Sequence, residues 1–160
     1  MDDRESTGRR SFLRAAFLTV AALALSGREV RGAGRGPGDD MPDAAKKVLR
    51  EHFGARKIND GHVSLDLPEV APDSREVPIF IESDLPMDAG HYVKAIHLLV
   101  DHNPDIYVAG FELTPALGKA SIDTRIKMRR SSQVRAIVET NTGDLWWAHK
   151  LVYTTLNGCV

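Results

Sequence analysis

Two kinds of side chain in this 160-residue sequence have the chemistry of a nucleophile or a metal ligand: a single cysteine, Cys159, and six histidines, His52, His62, His91, His97, His102 and His149. A thiolate attacks sulfur readily, and its disulfide and persulfide products form reversibly. One thiol can build neither an internal disulfide nor a cysteine-rich zinc or iron–sulfur site. The histidines show neither the paired helical spacing nor the clustering of a zinc or copper site, so they read as surface or boundary residues and no metal is expected. No serine sits in a Gly-x-Ser-x-Gly elbow, and no Gly-x-Gly-x-x-Gly or Walker sequence follows a strand. Neither a catalytic triad nor a bound cofactor is therefore expected.

The remaining charge says little about a polyanion. Hydrophobic residues make up 42% and charged residues 27%, with a net charge of -1, which fits one globular domain and excludes a nucleic-acid binder of the usual basic kind. Arg125, Lys127 and Arg129 fall on the outward face of one candidate strand, with Arg135 on its neighbour. A solvated strand face is the default for such a stripe, and a surface for an anion or a partner is the alternative. Trp146 and Trp147 are adjacent in a strand and so point to opposite faces, one at most toward a core and the other toward an edge or an interface.

The N-terminal third reads as an address. Arg9 and Arg10, followed by Phe12-Leu13 and the apolar run from Ala15 to Leu25, resemble a twin-arginine export signal, with Gly8 where Ser or Thr is usual. Eleven residues are too few to cross a bilayer as a helix, which needs about twenty, so the segment predicts a signal peptide and no stable membrane anchor. Residues 1–33 are assigned to signal and spacer, with small residues at Ala24, Ser26 and in the Gly32 to Gly38 stretch offering several cleavage sites. Their removal takes away six Lys+Arg and four Asp+Glu, leaving 15 against 18 and a net charge of -3.

The elements that must position Cys159 follow in residues 34–156. Ala45, Val48, Leu49, His52 and Phe53, between Pro42 and Gly54, have the three-and-four spacing of a short amphipathic helix. After Gly54 the apolar period becomes two. Val63, Leu65 and Leu67 form one set, and Val77, Ile79 and Ile81 a second. Tyr92, Ile96, Leu98 and Val100 form a third, and Tyr107, Ala109, Phe111 and Leu113 a fourth. Ala120, Ile122, Thr124, Ile126 and Met128 form a fifth, followed by Val134, Ala136 and Val138 and by a long strand from Leu145 to Leu156. Such alternation predicts antiparallel strands with one buried and one wet face. The expected fold is all-β, an immunoglobulin-like antiparallel sandwich of about seven strands behind a short N-terminal helix.

Cys159 then stands on residues 157–160, beyond the last strand. In a reducing compartment such a thiol would be an incidental tail residue. In an oxidising one it must be oxidised, paired between chains or used chemically. Gly158 leaves the sulfur unshielded, and three residues beyond Leu156 extend about 10 Å.

Val77-Pro78, Leu85-Pro86-Met87, Tyr92-Val93-Lys94 with Ile96, Asn103-Pro104, Val108-Ala109 with Phe111, Thr124-Arg125-Ile126 and Asn157-Gly158-Cys159 together resemble the SoxY family. This family supplies the sulfur-carrier subunit of the periplasmic SoxYZ complex in bacterial thiosulfate oxidation. The resemblance implies a periplasmic, non-catalytic carrier in a heterodimer with a SoxZ-like subunit, with Cys159 as the site of covalent sulfur attachment and Asn157 and Gly158 as the flexible arm. It also implies transient visits to a haem enzyme, a sulfate-releasing hydrolase and a sulfane dehydrogenase. The family arm typically ends Gly-Gly-Cys-Gly, whereas this chain has Asn157 and the stiffer, wider Val160. The alternative implied by that departure is a SoxY-like binding or accessory module of a periplasmic dehydrogenase system with altered or lost carrier function.

Overall fold

Pro42 and Gly54 punctuate the helix as expected: α1 runs Asp43–Phe53. Gly54 takes φ 66°, in the left-handed region that a side chain disfavours, and its N–H closes the last turn on the Arg50 carbonyl. The structure is a computed structural model that describes residues 41–155. The expected leader with Arg9 and Arg10, and the arm residues Asn157, Gly158, Cys159 and Val160, lie outside the described residues.

Nine strands follow among the described residues: β1 (Ile58–Asp60), β2 (Val63–Asp66), β3 (Val70–Ala71), β4 (Val77–Ser83), β5 (Val93–Val100), β6 (Tyr107–Glu112), β7 (Ala120–Ile126), β8 (Ser132–Thr140) and β9 (Leu145–Thr154). The larger sheet is ordered β1-β9-β8-β5-β6 with β3 also on β9, and the smaller is β2-β4-β7. Ile79, Ile81, Ile96, Leu98, Val100, Ala120, Ile126, Val134, Ala136 and Val138 interdigitate between the sheets as the main core. This is the expected immunoglobulin-like sandwich with one short N-terminal helix. The strands absent from the sequence reading, β1 and β3, have three and two residues, too few for a period to show, and both run parallel to β9.

Four expectations need correction. The outer face of the large sheet is not wet: Leu99, Ile137 and Leu145 are buried there beneath Phe53 of α1, with Val48, Leu49 and Trp147 beside them. Burying a side chain such as Phe53 stabilises by about 1.5–3 kcal/mol, so α1 is part of the fold and not an appendage. Tyr107 does not share a face with Ala109 and Phe111. Leu98 pairs with Ala109 but Leu99 with Tyr107, so Val108 is an extra residue that turns Tyr107 to the helix-covered face. A second bulge at Lys94 puts Val93, in place of Tyr92, into the core with Ile96. Finally, Arg135 is not an outward cation. Its side chain is 1% exposed.

Candidate functional site

The end of β9 is where the chain leaves toward Cys159, and it is tied to two neighbouring segments. Thr154 N–H donates to Ser131 Oγ at 3.0 Å, and Thr155 Oγ1 donates to the Pro72 carbonyl at 3.1 Å. The segment joining β7 to β8 is braced in turn: the Asn103 side chain donates to the Lys127 carbonyl at 2.8 Å and accepts the Arg129 N–H at 2.9 Å. Met128 N–H donates to the Ser74 carbonyl at 2.7 Å. Beside it the Arg75 guanidinium, hydrogen-bonded to Asp73, holds that carboxyl down at about 2. These ties fix the described end of the chain at Thr154 and Thr155, while Lys127, Arg129 and Arg130 are exposed to solvent.

A second polar constellation lies at the other end of β8, at the C-terminal end of α1. Glu139 is 7% exposed and is held by Arg56 Nη1 and by Lys94 Nζ at 3.1 Å, with His97 Nε2 3.4 Å away. The other ring nitrogen of His97, Nδ1, lies 2.8 Å from Tyr107 Oη. Burial dominates the imidazole and pulls its pKa down against the opposing pull of Glu139, so the ring is neutral and accepts the Tyr107 proton at Nδ1. Burial alone would raise the Glu139 carboxyl, but the hydrogen bonds from Arg56 and Lys94 outweigh it and leave the group below its ordinary value. Tyr107 moves up, first through burial and then through the Glu139 charge, and stays a hydroxyl donor.

The chain Tyr107–His97–Glu139 lines a cleft of about 670 Å³ together with Lys94, Phe111 and Thr114. His52 of α1 stacks on Tyr107 at 4.1 Å between ring centroids, and Phe53 meets His97 edge-on at 4.9 Å. Gly110 leaves the space the tyrosine needs, since a Cβ there would lie 2.3 Å from Tyr107 Oη. Each member is engaged, so the network fastens α1 to the sheet. Asp101 and Arg135 form a third polar element, a bidentate pair at 2.8 and 2.7 Å with the guanidinium 5.5 Å from the Trp147 ring.

Among the described residues no three His, Cys, Asp or Glu side chains gather where a metal ion could sit. The histidines are dispersed: His62 is paired with Asp84 at 2.7 Å, the His102 ring Nδ1 lies 3.3 Å from Ser132 Oγ, and only His52 and His97 share a site. Trp147 packs on the helix side and donates to Asp60 at 2.7 Å, whereas Trp146 faces His62 edge-on at 4.4 Å. Glu139, Lys94 and Arg56 carry no motif. No local signal marks Glu139, because in the alternating segment Val134 to Thr140 it shares a face with Arg135 and reads as solvent-facing until a cover is placed over it. No helix among the described residues is long and apolar enough to cross a membrane.

Solved structures share this architecture. The sulfur carrier protein SoxY from Chlorobium limicola f thiosulfatophilum matches at 21% identity with a TM-score of 0.58, over 69% of this chain and 96% of that one. A superoxide reductase (neelaredoxin) from Ignicoccus hospitalis matches at 19% and 0.52, over 71% and 92%. A putative superoxide reductase from Thermotoga maritima matches at 18% and 0.51, over 62% and 89%. At these identities the likeness shows the fold. No curated protein matches significantly. The model of the family described as sulfur oxidation protein SoxY, however, matches residues 49–159, well over half of the sequence, and the chain therefore belongs to the SoxY family.

Proposed function

We propose that the chain is a sulfur carrier, exported by the twin-arginine route to the periplasm, that holds sulfur intermediates covalently on Cys159 and presents them to partner enzymes. The observation that carries this reading is the extent of the family match, which runs through the sandwich and on to residue 159. The braced base of the arm supports it, because a carrier needs a fixed body from which a short segment reaches into another protein. Residues 1–33 are then the leader and its spacer, residues 34–156 the body, and residues 157–160 the arm. A SoxZ-like subunit completes the heterodimer, and the enzymes visited are a haem protein, a sulfate-releasing hydrolase and a sulfane dehydrogenase.

In this scheme the protein supplies attachment and not catalysis. Joining the Cys159 thiolate to a sulfur oxyanion such as thiosulfate forms an S–S bond and releases two electrons, which the haem partner accepts. Hydrolysis of the bound oxyanion to sulfate leaves a persulfide on the cysteine. The test is the intact mass of protein isolated without reductant from cells oxidising sulfur compounds. Sulfur or thiosulfonate adducts are expected on the native protein and absent from Cys159→Ser. A free thiol or a glutathione adduct alone on the native protein would show an accessory module instead.

A further inference from the structure

Around the base of the arm, Asp73 and Glu76 are engaged by Arg75 and Arg125, at 2.9 and 3.6 Å. Lys127, Arg129 and Arg130 are exposed, and no described residue forms a salt bridge with them. The backbone is tied at Lys127 and Arg129 by Asn103 and at Met128 by Ser74, and Ser131, next to Arg130, accepts the Thr154 N–H through its hydroxyl. Three long cationic side chains are thus held at the exit of β9, in a body that is otherwise acidic.

Cys159 lies four positions beyond Thr155, a reach of about 13 Å. So short an arm can enter another protein only if the mouth of the receiving channel is brought against the arm's base. The surface met there includes Lys127, Arg129 and Arg130, and a neutral or basic mouth would desolvate them without compensation. We propose that these three residues form a docking rim for a protein with acidic side chains around the mouth of the channel that takes in the arm. The proposal rests on the carrier reading and adds to it the charge of the partner's surface. The rim steers the encounter, and its contribution falls as salt rises.

The experiment measures the association rate constant of the full mature protein with the hydrolase that acts on its cysteine adduct, at low and high salt. The rim variant is Lys127→Glu, Arg129→Glu and Arg130→Glu together. Its control, Lys46→Glu, Lys47→Glu and Lys119→Glu, changes the net charge equally on α1 and at the far end of β7. Association of the rim variant is expected to slow about 10- to 100-fold at low salt, with the control much less affected and the difference closing at high salt. Equal slowing of both variants, no slowing, or no association of the unaltered protein overturns the rim. So does loss of heparin binding with unchanged association to the enzyme, which would mark a general polyanion patch. The adduct mass on Cys159 is read separately, so a missing adduct with salt-sensitive association sinks the carrier reading alone.

Discussion

Arg135 and the trio Lys127, Arg129 and Arg130 lie within the same stretch of chain, on β8 and just before it, yet their surroundings are opposite. Arg135 and Asp101 are each 1% exposed and joined through two hydrogen bonds, with Trp147 beside the guanidinium. The trio is exposed, and only the backbone of Lys127 and Arg129 is used by Asn103. A buried ion pair contributes to the definition of one structure, because removing either partner leaves an uncompensated charge in a poor solvent. Exposed cations contribute almost nothing to stability and remain available for another surface. The same residue type therefore serves the body in one place and an encounter in the other.

The sharpest way to break this contrast is at the buried end. Arg135→Ala should cost about 3–5 kcal/mol in urea unfolding, since Asp101 loses its bidentate partner while still buried. The double change Arg135→Met with Asp101→Leu should recover most of that loss, because two apolar groups need no mutual compensation. If the single change costs less than about 1 kcal/mol, the pair is solvated in practice and the contrast with the rim collapses.

The contrast was invisible in the sequence for a physical reason. Alternation of Val134, Ala136 and Val138 correctly marks one buried face of β8, but the opposite face of Arg135, Ile137 and Glu139 looks solvent-ready until α1 is placed over it. Periodicity reports which residues share a face and not what covers that face. The same ignorance hid the Tyr107–His97–Glu139 network. Its members come from β5, β6 and β8, and the bulge at Val108 reverses the parity on which the Tyr107 assignment depended. The helix, its glycine stop, the sandwich and the face of Ile122 and Ile126 were legible because each depends on local spacing alone. Cys159, the proposed working atom, was legible only through its type, its neighbours Asn157 and Gly158, and the family resemblance.

An intermediate case lies in the network beneath α1, where polar groups are partly covered. Gly110→Ala should cost about 1–3 kcal/mol, because the new methyl would sit 2.3 Å from Tyr107 Oη and force the ring away from His97 Nδ1. Tyr107→Phe should cost about 1 kcal/mol through the lost hydrogen bond. Combined, the two should cost clearly less than their sum, since without the hydroxyl the next contact of the methyl is the ring carbon at 3.4 Å. Additive costs in the unfolding midpoints would mean that Gly110 is constrained by something other than Tyr107.

The smallest expected effect tests the other side of the comparison. Replacing Lys127, Arg129 and Arg130 together by Ala should move the unfolding free energy by no more than about 0.5 kcal/mol, because none of the three side chains has a salt-bridge partner among the described residues. The Asn103 bonds go to the Lys127 carbonyl and the Arg129 N–H, which alanine retains, and removing neighbouring like charges relieves a small repulsion. A loss of 2 kcal/mol or more, on the order of a broken cap or buried contact, would make the trio structural and leave no reason to assign it to a partner. Near-neutral stability combined with slower association is the pairing that separates a docking rim from a solvated loop, since an idle loop predicts the first result without the second.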